Sequence, residues 1–367
     1  MSVTSAQLDY DEEVRMPNII AYKLKVNNFD GLRLIFALMV VFFHISLLSN
    51  IQSIAFVHRS ISSLFAVQAF FVVSGFLVTM SFEKSSSLAV YIRKRIFRIY
   101  PAYACCVVMA AVSLVLLSSL PPSEYFTHRE FWRYVGLNLA LSNFAQPSLP
   151  GVFAGQFETA VNGSLWTIKL EFMYYFLVPI IVWAARRFGY LHILMGLFLG
   201  SIIWHVGFQY LGEATGSEFY VRLAKQLPGQ LGFFAGGAWA YYRTREGLSP
   251  APFWMALIGT VLYATTAGLP NVLVAPACVT VIVYFAAIAL PRLWSAERTG
   301  DFSYGVYLYH FPIAQAAIAL GLFTAAPITG FVLVTATAVV VAILSWHLLE
   351  KRALVWGHRG MFRPVLK

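Results

Sequence analysis

The residues of this chain best placed to do chemistry are polar groups set inside otherwise apolar stretches. The first such stretch opens Asn28-Phe-Asp30-Gly-Leu-Arg33 and, after ten intervening residues, reaches His44. On a helix, eleven steps turn about 1100°, some 20° past three full turns, so Arg33 and His44 share one face about 16 Å apart along the axis. Asp30, one turn before Arg33, can pair with the guanidinium. An imidazole so placed can serve as a general base or as a nucleophile. A charge near the bilayer centre costs about 2.5–3.5 kcal/mol on insertion scales, so such groups face the protein interior and mark function.

Three further stretches carry candidates. A basic run, Tyr91-Ile-Arg93-Lys94-Arg95-Ile-Phe-Arg98-Ile-Tyr-Pro101, follows the second apolar stretch as a loop. In helical form Arg95 and Arg98 point the same way, and the planar guanidinium matches phosphate oxygens. The competing reading of such a run is headgroup binding or topology. The fourth stretch begins Asn162-Gly-Ser164-Leu-Trp166 and contains Lys169 and Glu171. A carboxylate about two turns into the membrane calls for a compensating cation, and Lys169, two residues away, points to another face. The ninth runs from Asp301 through Ser303-Tyr-Gly-Val-Tyr307 to His310, just before Pro312. That proline frees a backbone carbonyl, and His310 is either an acid/base group or a hydrogen-bond donor between helices. His205 and His347 have thinner context and are taken as structural.

These groups need a membrane bundle to hold them. Hydrophobic residues make up 59% of the chain and charged residues 11%, against about 25% charged in soluble domains. Such a chain cannot cover its own surface, so lipid is the solvent for much of it. Candidate spans of about 20 residues are 29–49, 61–82, 100–120, 165–185, 190–210, 227–242, 252–268, 271–290, 302–322 and 327–349. The fold class is therefore all-α, a polytopic transmembrane bundle of about ten helices. The seventh and eighth spans are joined by a hairpin at Leu269-Pro270. Cytoplasmic tails are expected at 1–28 and 350–367, flanking one membrane domain at 29–349.

The net charge of +10 does not indicate nucleic acid, because the basic residues cluster between apolar runs. Placing both termini in the cytoplasm puts 19 of the 26 Lys and Arg residues inside and five outside, as the positive-inside rule requires. The first apolar run has no small-residue cleavage site and is read as the first helix rather than a leader. Cys105, Cys106 and Cys278 all lie in apolar runs, which suits packing rather than disulfides or metal. The longest outer segment, from about Pro121 to Ser164, is rich in proline and glycine around an aromatic stretch near 131–134. It reads as an irregular loop with one interfacial helix, either a lid or substrate surface or a plain connector.

The chain resembles acyltransferase family 3, membrane proteins that modify bacterial surface glycans and related acceptors. The likeness rests on Phe29-Asp-Gly-Leu-Arg33 with His44, Phe70-Phe-Val-Val-Ser-Gly-Phe76, Arg95-Ile-Phe-Arg98, Ser164-Leu-Trp166 through Glu171, and Ser303-Tyr-Gly-Val-Tyr307 through His310, in the family's order. It implies ten membrane helices in a bacterial inner membrane. It also implies transfer of an acyl group, commonly acetyl, from cytoplasmic acetyl-CoA or another acyl-CoA. The acceptor would be a hydroxyl of a glycan or lipid-linked sugar. The resemblance makes Arg33, Arg95 and Arg98 donor-binding or catalytic candidates, and Arg93 joins the donor-binding candidates from the basic run itself. The same resemblance makes His44 the catalytic candidate, as base or acyl carrier; the residues themselves add Glu171, orienting His44 or an acceptor hydroxyl, and His310, assisting proton movement. Backbone N–H groups near Ser74-Gly75 are a further candidate, for stabilising an oxyanion. Membrane lipids are the other expected partners; neither a metal nor nucleic acid is, and the oligomeric state stays open. The competing class is a transporter or flippase of a glycolipid or small solute, which would more often show repeat symmetry and interrupted helices.

Overall fold

The computed structural model describes residues 27–249, 251–292 and 294–358. Of the expected tails, residues 1–26 and 359–367, with the basic residues they carry, lie outside the described residues, whereas Lys351 and Arg352 lie within them. Within these, all regular structure is helical. The ten principal helices are α1 (Phe29–Ser49), α2 (Ser63–Glu83), α3 (Leu88–Ser113), α4 (Trp166–Phe188), α5 (Tyr190–Thr215), α6 (Leu227–Arg245), α7 (Phe253–Thr265), α8 (Gly268–Tyr284), α9 (Ser303–Ala319) and α10 (Pro327–Ser345). With their short continuations, α1–α5, α8 and α10 are seven helices long and apolar enough to cross a membrane. This is a multi-pass membrane protein. The other three depart from a simple span for separate reasons. Helix α6 is diluted by glycine and ends on Arg243 and Arg245, α7 has only 13 residues, and α9 has 17.

Three boundaries differ from expectation. The basic run is not a loop: α3 starts at Leu88, capped by Ser87, whose Oγ accepts from Val90 N at 3.2 Å. Arg93, Arg95 and Arg98 thus stand on its first three turns, because an N-cap and an unbroken helix-forming run outweigh the charge. The turn between α7 and α8 lies at Thr266-Ala267, and Pro270 falls in the first turn of α8, where its missing N–H has no helical partner to lose. Helix α10 does not end in a tail at 350. It passes through a π turn, Trp346–Glu350, into a helix Lys351–His358, with Glu350 and Ala353 both buried.

One compact unit comprises the described residues to Leu32, Gln68–Lys84 and Leu177–Ser295. Its centre is α6, in which every residue from Gly229 to Ala238 is buried. Glycine makes this possible. A Cβ on Gly75 would lie 2.0 Å from the Phe234 carbonyl oxygen, and one on Gly237 would lie 1.9 Å from that of Val72. The two backbones touch, as small residues allow in membranes. Gly75 therefore serves packing, and its mid-helix N–H belongs to the helical ladder rather than to an oxyanion. At the start of α1, Asn28 Nδ2 donates to Ala286, Leu290 and Pro291 carbonyls at 2.9–3.2 Å. Glu83 receives Arg186 at 3.1 Å and Arg245 at 3.2 Å.

The second unit comprises Arg33–Val67, Ser85–Phe176 and the described residues from Ala296 onward. Its centre is α9, in which every residue from Ser303 to Phe311 is buried. A helix buried on all sides needs no lipid-facing length, which accounts for its shortness. A Cβ on Gly305 would lie 2.9 Å from Ala342 Cβ, so α9 and α10 meet through small residues. The segment from Pro121 to Ser164 holds two short α-helices, Pro122–Thr127 and Arg129–Leu139. The second is amphipathic, burying Phe131, Tyr134 and Asn138 while Trp132 is 63% exposed. Tyr125 Oη donates to Ala111 O at 2.8 Å and Tyr103 Oη to Asn138 O at 2.7 Å. The segment is tied to α3 along much of its length.

Candidate active site

The catalytic and donor-binding candidates, Arg33, His44, Arg93, Arg95, Arg98, Glu171 and His310, all fall in the second unit, and most gather at two levels along α1 and α9. At the first level, Arg33 and Arg98 both donate to Asp301, which also accepts from Ser303 Oγ at 2.6 Å. Burial alone would raise the Asp301 carboxyl. The Arg33 charge, then that of Arg98, outweighs burial and holds the carboxyl well below the usual carboxylate range. Its contribution to stability is thus complete above about pH 4 and is lost only as the pH falls further. Arg98 also lies 3.9 Å from Glu350 and stands over the Trp346 ring at 5.6 Å. Arg95 stands over the Tyr175 ring at 5.7 Å, and its Nε is buried with no hydrogen-bond partner among the described residues.

The carboxylate on Arg33 thus comes from Asp301, 268 positions away, where local spacing had pointed to Asp30. Glu171 is also placed differently from expectation. It accepts from Tyr175 Oη at 2.9 Å and is near enough to Arg98 for their charges to interact. It therefore joins the arginine level, while His44 takes its partner from α9. The reason is direction: α4 starts beside the middle of α9, where Thr167 meets Tyr307, and one further turn carries Glu171 about 6 Å along the helix toward the arginines. Lys169 turns aside, its Nζ 4.9 Å from the Phe144 ring centre.

Arg93 leaves the cluster altogether. It is exposed, and its Nη2 donates to Trp356 O at 2.8 Å, clasping the final helix. Arg93→Ala is expected to change apparent donor affinity less than about twofold and to cost about 1 kcal/mol of stability. Donor titrations and thermal unfolding in detergent would check both.

At the second level, His44 Nδ1 lies 2.9 Å from His310 Nε2. The rings are within 14° of parallel with centroids 5.2 Å apart, the separation of one hydrogen bond plus two ring radii. They meet edge to edge. His310 Nδ1 lies 2.7 Å from the Tyr307 carbonyl oxygen, which can only accept. His310 Nδ1 therefore carries hydrogen, its Nε2 offers the lone pair, and His44 Nδ1 is the donor between the rings. That leaves a free lone pair on His44 Nε2. Phe43 and Phe311 present ring edges to His44 at 5.6 and 5.2 Å, giving the imidazole apolar walls. Eleven residues separate the two levels on α1, about 16 Å of helix.

Sequence reasoning missed Asp301, Glu350 and Trp346 as parts of the arginine level. A carboxylate at the mouth of a span, in a chain with only 16 Asp and Glu, was the available signal for Asp301. Glu350 and Trp346 carried none, because only the continued turn of α10 brings them in.

A free imidazole lone pair at one level and an arginine cluster at the other suit a group transfer better than a solute pathway. The acyltransferase family 3 model, an acyltransferase domain, matches residues 26–347. The chain belongs to acyltransferase family 3. This family 3 enzyme is 27% identical over 338 residues to an O-acetyl transferase of Shigella phage Sf6, covering 90% of this chain and 96% of the relative. It is likewise 27% identical over 363 residues to Nodulation protein 10 of Rhizobium leguminosarum bv. viciae, covering 89% and 93%. No solved structure matches it. The family membership and the O-acetyl transferase relative make the protein a membrane O-acyltransferase.

Proposed function

We propose that the enzyme moves an acetyl group from acetyl-CoA in the cytoplasm to a hydroxyl of a surface glycan or lipid-linked sugar, across a bacterial inner membrane. The observation that carries this reading is the ordered histidine pair, which leaves a free lone pair on His44 Nε2 at a level beyond the arginines. The relative named O-acetyl transferase supports acetyl as the transferred group. In this reading Arg33, Arg95 and Arg98 hold the donor phosphates, with the unpartnered Arg95 Nε available to a phosphate oxygen. The thioester arm extends along α1 toward His44.

His44 Nε2 takes the hydroxyl proton as the acceptor oxygen attacks the thioester carbonyl. The tetrahedral intermediate then expels the coenzyme A thiolate, which receives that proton. The imidazolium formed in between is steadied through His44 Nδ1–H to His310 and on to the Tyr307 carbonyl. In a two-step variant, His44 Nε2 attacks the thioester first and expels the coenzyme A thiolate, then hands the acetyl group to the hydroxyl, whose proton goes to the thiolate. Both routes use the same nitrogen. Enzyme reconstituted in vesicles with radiolabelled acetyl-CoA and an isolated surface glycan is expected to move label into the glycan with one free thiol per acetyl. Label left on coenzyme A, with glycan or solute crossing the vesicle instead, would overturn the proposal.

A further inference from the structure

Pro312 has no N–H, so the carbonyl of Leu308, four residues before it, loses its helical donor. Buried at that depth, an unpaired carbonyl is costly. The structure supplies a partner from outside the helix. Asn162 Nδ2 donates to Leu308 O at 2.9 Å, while its Oδ1 accepts from Ser164 Oγ at 2.6 Å and Ser164 N at 3.2 Å. Asn162 is only 5% exposed. Cys106 Sγ makes a longer contact to the same carbonyl at 3.5 Å. Gly163 lets the chain come this close, since a Cβ there would lie 2.8 Å from the Phe311 ring.

The same strand of chain grips α9 on both sides of the proline. Beyond it, Gln315 Nε2 donates to Glu158 O at 2.6 Å and Ala160 O at 3.0 Å, and Gln156 Nε2 donates to Gln315 O at 3.0 Å. Before it, Tyr307 Oη lies 2.6 Å from Thr167 Oγ1 and donates to Ser164 O at 3.1 Å. Tyr307 is therefore held by its ring while its own carbonyl holds His310. His310 sits two residues from both Leu308 and Pro312, at the centre of this clamp.

We propose that Asn162 is a positioning residue for the histidine pair, closing the gap that Pro312 leaves in the α9 hydrogen-bond ladder so that His310 Nε2 meets His44 Nδ1. The inference rests on the reading of that pair as the reacting group. A misplacement of about 1 Å at a reacting centre can lower rate about 100-fold. Asn162→Ala is accordingly expected to lower kcat about 10- to 100-fold, with KM for acetyl-CoA within about twofold of wild type, since the arginine level is untouched.

The decisive variant is Asn162→Ala combined with Pro312→Ala, which returns an N–H to Leu308 and satisfies the carbonyl inside the helix. If Asn162 positions His310, the double variant recovers folded yield but keeps the kcat defect. Recovery of both would reduce Asn162 to carbonyl satisfaction and overturn the proposal, as would Asn162→Ala with wild-type kcat. His44→Ala in the same assay separates the two ideas. Its full activity would defeat the reading of the histidine pair. An inactive His44→Ala beside a normal Asn162→Ala would defeat only the role of Asn162.

Discussion

His44→Ala is expected to lower kcat for acyl transfer about 100- to 10,000-fold, the range a general base supplies, with the protein still folded and inserted. The imidazole is only partly buried, and Ile45 and Ser46 beside it are fully buried, so the helix keeps its anchors when the ring is removed. The free Nε2 lone pair is lost outright, and neither Phe43 nor Phe311 can replace it. His310→Ala is expected to do less, about 10- to 100-fold, because His44 keeps its nitrogen and loses only the partner that fixes its tautomer. Single-turnover assays on variants matched for detergent-extracted yield would give both values. Near-normal transfer by folded His44→Ala would remove this nitrogen from the chemistry. Acid-quenched enzyme given acetyl-CoA without acceptor would separate the two routes, since only the two-step one leaves acetyl on the protein.

Substitution of Arg98 should hit donor use hardest. Its guanidinium is shared between Asp301 and Glu350 above the Trp346 ring. Arg98→Ala leaves Glu350, 2% exposed, without its cation, and breaking such a pair costs about 3–5 kcal/mol. Much of the protein would then be lost to misfolding, which hides any effect on the donor. Arg98→Lys separates the two. It keeps the charge for Asp301 and Glu350 but lacks the planar fork that meets phosphate through two bonds. Loss of one charge-assisted bond, about 1.5–3 kcal/mol, predicts a rise in KM for acetyl-CoA of about 10- to 150-fold, with kcat changing far less. Thermal unfolding in detergent and donor titration would read both. An unchanged KM in folded Arg98→Lys would assign this arginine to the ion cluster alone.

Why Glu171 and Arg93 departed from expectation follows from the limits of spacing. Both were placed by their neighbours in sequence, and each found its partner through packing: Glu171 among Tyr175 and Arg98, Arg93 on the last helix. Arg95 and Arg98 kept to the shared direction that a separation of three residues implies, yet one met an aromatic ring and the other a carboxylate. Helical period says which way a side chain points; it is silent on what waits there.

The membrane class, the helical fold and the shared face of Arg33 and His44 were all legible in the order of residues. Each follows from composition or from a period of 3.6, which are properties of a single segment. The pairings that make a site of them were not. His44 meets His310 across 266 positions and Arg33 meets Asp301 across 268, while Asn162 answers a carbonyl that a proline exposed 146 residues later. Those contacts exist only once α1, α4 and α9 have packed, because no local rule selects one partner among several buried polar groups until the helices bring them within a hydrogen bond.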